Sequence, residues 1–251
     1  MEQEFNEIID EFIKINKKGY VNSINNNLNN SCGLTLEHLL GKKADNMFFP
    51  DFNGVEIKTT TRFSRYNISL FSMSFDGPYL FESNNLLEKY GKNDAEFLNK
   101  KTLFVNLKFN EKVLVNDKYY FELKIDYETN KIKVCIYDLD LNMIEERCYI
   151  YFDSLEKRIK VKLDKLALFY ASKRKTGDNL FYRYYKIECF RYKGFSKFLE
   201  LLESGDIKAK IILRFARSGN DFLKNKNKNM CFSIVKRNIY KLFKLIFTYE
   251  N

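Results

Sequence analysis

An aspartate, a glutamate and a lysine stand close together in the segment PDFNGVEIKTTT, as Asp51, Glu56 and Lys58. The β-branched, alternating residues from Val55 onward predict a strand, along which residues two apart share a face. Glu56 and Lys58 are therefore expected on one face of that strand, while Val55 and Ile57 point into a core. The first question is what chemistry such a group could perform.

The Asn53-Gly54 pair lets the chain turn, so the Asp51 carboxylate can approach Glu56. Two converging carboxylates suit Mg²⁺, a hard cation that takes oxygen ligands and retains several waters. Lys58 beside such a metal would orient or help to deprotonate an attacking water and stabilise the developing charge. The same spacing is also typical of an ordinary edge strand with solvated charges. From these residues alone, both interpretations stay open.

Charge is distributed unevenly along the 251 residues, whose formal net charge is +10. Residues 1–100 carry 11 Lys and Arg against 14 Asp and Glu, a net of −3. Residues 101–251 carry 32 against 19, a net of +13. An acidic candidate site in one part and cationic residues in the other indicate an enzyme that binds a polyanionic substrate. A lysine-rich surface that serves solubility is the alternative explanation.

Several classes of protein are excluded by missing motifs. The sequence has no nucleotide-binding P-loop, no dinucleotide-binding glycine fingerprint and no hydrolase motif of the form G-x-S-x-G. His38 is the single histidine, which excludes multi-histidine metal sites and disfavours histidine-based triads. No apolar run reaches the length of a membrane span, and the acidic N-terminus does not fit a signal peptide, so we expect a cytoplasmic protein.

The elements that must position the candidate site follow from hydrophobic periodicity. Helical spacing predicts an amphipathic helix in EFNEIIDEFIKINKK and a shorter helix in LTLEHLLG, before the candidate strand. Residues 102–151 contain four strand-like segments separated by turn signals, which predict a meander. Beyond them we expect a helix, a hairpin around TGDN, a second helix with further strands, and a final helix in NIYKLFKLIF.

The candidate strand and the helix before it form a longer pattern. Thr-Leu-Glu and Leu-Leu-Gly stand within residues 35–41, followed by Pro-Asp at 50–51, Gly54 and Glu-Ile-Lys-Thr at 56–59. This pattern resembles the catalytic region of the MvaI/BcnI group of type II restriction endonucleases. That group is related to the mismatch-repair nicking enzyme MutH and has the PD-(D/E)XK nuclease fold. The C-terminal part of the chain also resembles the group, whereas residues 80–165 match it only in general character.

The resemblance implies a role for each charged residue of the pattern. It implies that Asp51, Glu56 and Glu37 are ligands of Mg²⁺, with Glu37 supporting the metal-bound water from its helix. It implies that these three residues are catalytic together with Lys58. The expected fold is a mixed α/β sheet flanked by helices, in the α/β or α+β class, with a β-rich basic part that recognises DNA.

Basic and amide side chains elsewhere are the expected contacts to DNA. Arginine pairs with guanine and asparagine with adenine, while lysine neutralises phosphates. The segment RFARSGNDFLKNKNKN is the best candidate for base recognition, and the hairpin tip SKRKTGDN is a candidate for groove binding. Solvated charges and a polar loop are the plain alternatives. The predicted contacts are Arg62, Arg65, Lys173, Arg174, Lys175, Arg214, Arg217, Asn220 and Lys228.

Together these observations predict a Mg²⁺-dependent restriction endonuclease that hydrolyses double-stranded DNA at a specific sequence. We expect a catalytic portion in residues 1–100 and a DNA-recognition portion in residues 101–251. We expect no membrane association and no obligatory protein partner, and the resemblance implies a monomer. Two alternatives remain open: a MutH-like nicking enzyme that needs an activating partner, and a DNA-binding module without catalysis.

Overall fold

Strands account for most of the regular structure. The computed structural model describes residues 3–25, 30–41, 50–77, 81–217, 221–225 and 229–251. The α-helices are α1 (Asn6–Lys17), α2 (Ser31–Leu39), α3 (Phe81–Tyr90), α4 (Phe152–Leu163), α5 (Phe195–Glu203) and α6 (Ile239–Leu242). Short 3-10 helices span Gln3–Phe5 and Lys236–Asn238. No helix within the described ranges is both long and apolar enough to cross a membrane.

The strands belong to three sheets. They are β1 (Val21–Asn22), β2 (Glu56–Thr61), β3 (Ile68–Met73), β4 (Lys92–Asn93), β5 (Lys101–Leu107), β6 (Val113–Val115), β7 (Tyr119–Asp126), β8 (Lys131–Tyr137), β9 (Met143–Tyr151), β10 (Lys165–Thr176), β11 (Asn179–Tyr192), β12 (Ile207–Leu213), β13 (Asn229–Ile234) and β14 (Phe243–Glu250). With the six helices they make a mixed α/β chain, as the sequence predicted.

The sheet that contains the candidate strand has the order β1-β11-β10-β2, and β14 also pairs with β11. The strand β2 runs parallel to β10, with Glu56 beside Leu166 and Lys58 beside Leu168. The strand β11 is antiparallel to both β10 and β14. A parallel pair requires a long connection. Here that connection holds the strands β3 to β9, most of which belong to a second compact unit.

The helix α1 covers the face of this sheet that bears Ile57. Ile8, Phe12 and Ile15 recur at helical spacing along α1 and are buried. The ring of Phe12 packs edge-on against Phe169 of β10, with 5.7 Å between the ring centroids. The helix is therefore held by its apolar face, and β2 is fixed on that side by the same core.

Two compact units divide the chain, each from more than one segment. The first comprises Met1–Ile68, Ile159–Gly194 and Val235–Asn251, and the second comprises Ser69–Arg158 and Phe195–Ile234. The second unit contains the sheet β3-β13-β12-β5-β4 and the antiparallel sheet β6-β7-β8-β9. Each compact unit is built from more than one segment, whereas the sequence predicted two portions separated by a single boundary near residue 100. That boundary remains a prediction about where catalysis and DNA recognition lie.

The predicted meander is partly wrong. The strands β7, β8 and β9 do follow one another in a single sheet, together with β6. The first of the four predicted segments is β5, which instead pairs with β12 and β4. Alternating residues identify a strand, but its neighbours are chosen by packing against distant parts of the chain.

The predicted final helix is wrong beyond Leu242. Residues Phe243–Glu250 form β14, which pairs antiparallel with β11 from Tyr192 to Lys186. The segment FKLIF is rich in aromatic and aliphatic residues that suit either state over so short a length. The exposed edge of β11 decides in favour of a strand, because pairing satisfies the backbone groups of both segments.

Candidate active site

A tight hairpin turn places Asp51 beside the start of β2. Asn53 and Gly54 have φ angles of 43° and 81°, the combination required by a two-residue type I′ turn. The residues on either side exchange two backbone hydrogen bonds of 2.9 and 2.7 Å. The Asp51 carboxylate then accepts the backbone N–H of Ile57 through Oδ2 at 3.1 Å. The turn thus brings Asp51 to the strand that carries the other candidates.

Glu56 is buried between two lysines. It is 3 % exposed, and its Oε1 accepts a hydrogen bond from Lys58. Its Oε2 accepts one from Lys162 of α4 at 3.2 Å, and Lys162 is itself 8 % exposed. A buried carboxylate is costly unless it is paired, and two ammonium groups supply that pairing. The strand β2 does lie at the edge of its sheet, but Glu56 is a buried, paired carboxylate and not a solvated charge.

Sequence reasoning missed Lys162, although a signal was present. Leu155, Ile159 and Leu163 form the buried stripe of α4. Lys162 lies three residues after Ile159, so helical spacing places it at the margin of that stripe. Lysine is rarely buried without a partner. A lysine at a core position of an amphipathic helix therefore predicts a buried carboxylate nearby, which here is Glu56.

The helix α2 packs closely against β2 at Gly33. A Cβ atom at Gly33 would lie 3.5 Å from Thr59 Oγ1. Glu37 follows one turn later on the same side of α2. Burial raises the pKa of the Tyr184 hydroxyl, and the charge of Glu37 adds to that rise, so Glu37 lies near this side chain. Because side chains alternate along a strand, Thr59 and Glu56 point to opposite faces of β2.

The Asp51 and Glu56 carboxylates fit a divalent cation by their chemistry. Mg²⁺ is usually bound through one or two carboxylates and several waters. Asp51 is bonded to the N–H of Ile57, the residue after Glu56, so both carboxylates lie at the start of the same strand. Within the part of the chain that the structure describes, no three His, Cys, Asp or Glu side chains form a group that could hold a metal. The structure thus bonds Asp51 to the backbone of β2 and pairs Glu56 with Lys58, and the roles of these residues and of Glu37 in metal binding remain predictions.

Most of the predicted DNA contacts are exposed. Arg62 and Arg65 lie in the loop that follows β2, and the three residues of the hairpin tip lie where β10 turns into β11. Exposed side chains are found at Arg62, Arg65, Lys173, Arg174, Lys175, Arg214 and Arg217. Asn220 and Lys228 lie outside the described residues. The DNA contacts remain predictions.

Several of these arginines also have contacts within the protein, Arg217 and Arg174 among them. Arg217 donates hydrogen bonds to Glu96 at 2.8 Å and to Asp94. Arg174 lies over the ring of Tyr20, with 4.4 Å between its guanidinium carbon and the ring centroid. A base contact by Arg217 would therefore have to replace two charged hydrogen bonds, whereas Arg174 keeps its donors available.

The chain belongs to the MvaI/BcnI restriction endonuclease family, which matches residues 9–243. Membership makes it a type II restriction endonuclease, and enzymes of this family generally use a divalent metal. The resemblance drawn from the sequence is confirmed.

Two solved structures of restriction endonuclease MvaI are similar to the chain. One is a complex of MvaI with its cognate DNA substrate, at 26% identity and a TM-score of 0.89, over 98% of both chains. The other is MvaI without DNA, at 22% identity and a TM-score of 0.60, again over 98% of both chains. No curated protein matches the sequence.

Proposed function

We propose that the chain hydrolyses phosphodiester bonds of double-stranded DNA at a specific sequence, with Mg²⁺ held by Asp51 and Glu56. The observation that carries the proposal is the buried Glu56 carboxylate, which accepts a hydrogen bond from Lys58 on the same strand. Asp51 accepts the backbone N–H of the adjacent residue, Ile57. The similarity to an MvaI complex with cognate DNA supports DNA as the substrate.

Each residue of the group has a distinct part in this proposal. When bound, Mg²⁺ neutralises phosphate charge and lowers the pKa of a coordinated water. Lys58 exchanges its bond to Glu56 for hydrogen bonds to the attacking water and the phosphate oxygens, where charge increases in the transition state. Lys162 keeps a positive charge beside the buried Glu56, whereas Glu37 lies near Tyr184 on the Thr59 side of β2 and has no ligand role in this proposal.

The negative phosphates of the DNA complement the basic side chains around the site. A phosphate backbone is bound by lysine and arginine side chains without regard to sequence, and base edges are recognised separately. Arg62 and Arg65 are placed directly after the catalytic strand and are the proposed contacts near the cut. The β10–β11 hairpin tip and the segment around Arg214 are the proposed contacts further away.

Plasmid cleavage tests the proposed function. Purified protein incubated with plasmid and Mg²⁺ is expected to give discrete fragments whose ends map to one short sequence. Chelation of the metal is expected to abolish the fragments, and so are Asp51→Asn and Lys58→Met. The control Lys14→Met removes a lysine that is paired with Glu11 on the exposed face of α1. Full cleavage by both active-site variants would disprove the assignment, and single-strand nicks alone would favour a nicking enzyme.

A further inference from the structure

A second group of polar side chains lies on the same face of the sheet as Lys58. Lys58 is paired with Leu168 of β10, and Leu168 is paired with Glu188 of β11. Residues paired across strands point to the same face. Tyr170 lies two residues after Leu168 and therefore also faces this side.

Glu188 is the buried centre of this group. It is 2 % exposed, and its Oε2 accepts the Tyr170 hydroxyl at 2.7 Å. Its Oε1 accepts the Tyr240 hydroxyl at 2.8 Å and lies 2.8 Å from the Lys186 ammonium. Burial and then the bond to Glu188 raise the pKa of Tyr170, so this hydroxyl stays a neutral donor. Both carboxylate oxygens are satisfied, which fixes the Tyr170 ring in place.

Lys236 completes the group but has no such acidic partner. Its ammonium donates to the backbone carbonyl of Thr61 at 3.3 Å and lies 5.2 Å from the centroid of the Tyr170 ring. Within the described ranges, the ion pairs formed by lysines do not include Lys236. Burial lowers its pKa, while Glu188 acts in the opposite direction. A half-buried ammonium held by a carbonyl and a ring lacks a direct counter-ion.

We propose that Lys236 binds a backbone phosphate of the DNA close to the phosphate that is cut. Thr61 lies three residues after Lys58 on β2, a separation of about 10 Å at roughly 3.3 Å per strand residue. That distance lies between one and two phosphate spacings along a DNA strand. The phosphate would be the counter-ion of the Lys236 ammonium. Lysine binds phosphate as a compact point charge.

The role of Lys236 is positional: its contact sets the register of the DNA strand relative to Lys58. The Tyr170 ring is held by Glu188 and lies 5.2 Å from the ammonium, which keeps Lys236 beside this group. This inference rests on the proposed cleavage of DNA by Asp51, Glu56 and Lys58.

Salt-dependent binding tests the contact directly. Affinity for a short duplex that carries the mapped cleavage site is measured without divalent cation over a range of salt concentrations. Loss of one phosphate contact makes the slope of log affinity against log salt less negative by about 0.9. We expect that change for Lys236→Met, with affinity about tenfold lower or more at moderate salt. Lys236→Arg and the control Lys14→Met, which removes a charge on the opposite face of the sheet, are expected to keep the wild-type slope.

A scan with neutral methylphosphonates locates the phosphate. A single methylphosphonate near the cut should weaken binding by the wild type at one position. At that position the same replacement should cause no further loss of affinity in Lys236→Met. Lys236→Gln replaces the methionine variant if the latter has a lowered melting temperature. An unchanged salt slope, or losses that add at every position, would overturn the inference while leaving plasmid cleavage intact. Failure of the wild type to cut plasmid would instead count against the proposed function.

Discussion

Glu56 is the residue on which the site depends, because its charge is buried. Removing a carboxylate from water is costly, and the attraction of one lysine often does no more than compensate for it. Here Lys58 and Lys162 share the two oxygens. In the proposed mechanism, a metal that binds Glu56 would release Lys58 for catalysis, while Lys162 would still compensate part of the charge. The second lysine therefore explains how one side chain can serve both the fold and the reaction.

Loss of Lys162 should destabilise the protein in a way that metal partly reverses. The change Lys162→Met leaves Glu56 with one cationic partner, and breaking a buried ion pair costs about 3–5 kcal/mol. We expect a free energy of unfolding lower by about 2–4 kcal/mol, given the remaining lysine. Added Mg²⁺ should raise the melting temperature of this variant more than that of the wild type.

The exposed pair of Lys14 and Glu11 provides the control for this measurement. Lys14→Met breaks an ion pair whose lysine side chain is 66% exposed, and such pairs contribute about 0–1 kcal/mol. Equal melting temperatures for Lys162→Met and Lys14→Met would show that Lys162 does not stabilise Glu56.

Among these residues, the sequence predicted the candidate group but not the side chains that surround it. The spacing of Asp51, Glu56 and Lys58 follows from strand geometry, which is local. Lys162 is 106 residues from Glu56 in the chain, so no local rule could pair them. Arg217 was predicted as a base contact, yet it also bonds Asp94, 123 residues away. Long-range ion pairs are chosen by packing, and periodicity alone does not show them.

Among the elements, the turn before β2 controls the position of Asp51. Gly54 has a φ of 81°, a conformation that residues with a Cβ atom adopt at a cost of about 1–2 kcal/mol. The nearest atom to an added Cβ would be Lys165 Nζ at 3.9 Å. The cost of a substitution therefore comes from the backbone rather than from a clash.

The change Gly54→Ala should reduce the rate of DNA cleavage by more than its effect on the free energy of unfolding accounts for. The strained turn is relieved by a shift of the backbone, and this shift moves Asp51 away from the start of β2. We expect a free energy of unfolding lower by about 1–2 kcal/mol and a single-turnover cleavage rate at least about tenfold lower. Gly19→Ala is the matched control, since Gly19 has a φ of 67° and open space around it at the end of α1. Equal cleavage rates for the two variants would contradict the role of the turn.

Local sequence patterns predicted some helices and strands correctly but not the last strand. The helices α1 and α2 and the strand β2 were predicted because each has its own periodicity. The strand β14 was taken for the end of a helix, since eight residues of mixed apolar character fit both states. Pairing with the edge of β11 favours the strand, and β11 lies far from β14 in the sequence.

For the whole molecule, acid should destabilise the β6-β7-β8-β9 sheet. A bidentate contact from Arg147, at 2.7 Å to each oxygen, lowers the pKa of Glu145 on β9 to about 2. A carboxyl group in the unfolded chain has a pKa of about 4.3. Because the folded pKa is lower, the ionised group stabilises the fold above about pH 4.3, and this contribution is lost as the pH falls towards 2.

Urea unfolding at pH 7 and at about pH 3 measures this loss. The variant Arg147→Met should show a smaller decrease in the urea midpoint between the two pH values than the wild type. Arg147 is 61% exposed as a side chain, so the difference will be reduced by solvent screening. An identical decrease in both proteins would show that this contact does not contribute to acid sensitivity.

The charge distribution of the whole chain agrees with its family. The net of +13 in residues 101–251 was interpreted as a polyanion-binding surface, and the chain is similar to MvaI in a complex with DNA. The composition could not show which cations contact DNA and which serve the fold. Arg217 and Lys162 are bonded to carboxylates of the protein, whereas Lys236 contacts a backbone carbonyl and a ring and pairs with no carboxylate among the described residues.

The most direct test of the account is single-turnover cleavage compared with binding. A duplex with a mapped cleavage site is incubated with excess enzyme and Mg²⁺, and its affinity is measured separately without metal. Asp51→Asn and Lys58→Met are expected to cut at least about 100-fold more slowly than the wild type, while both bind the duplex as the wild type does. Wild-type cleavage rates in these variants, or a loss of binding as large as the loss of cleavage, would contradict the proposed active site.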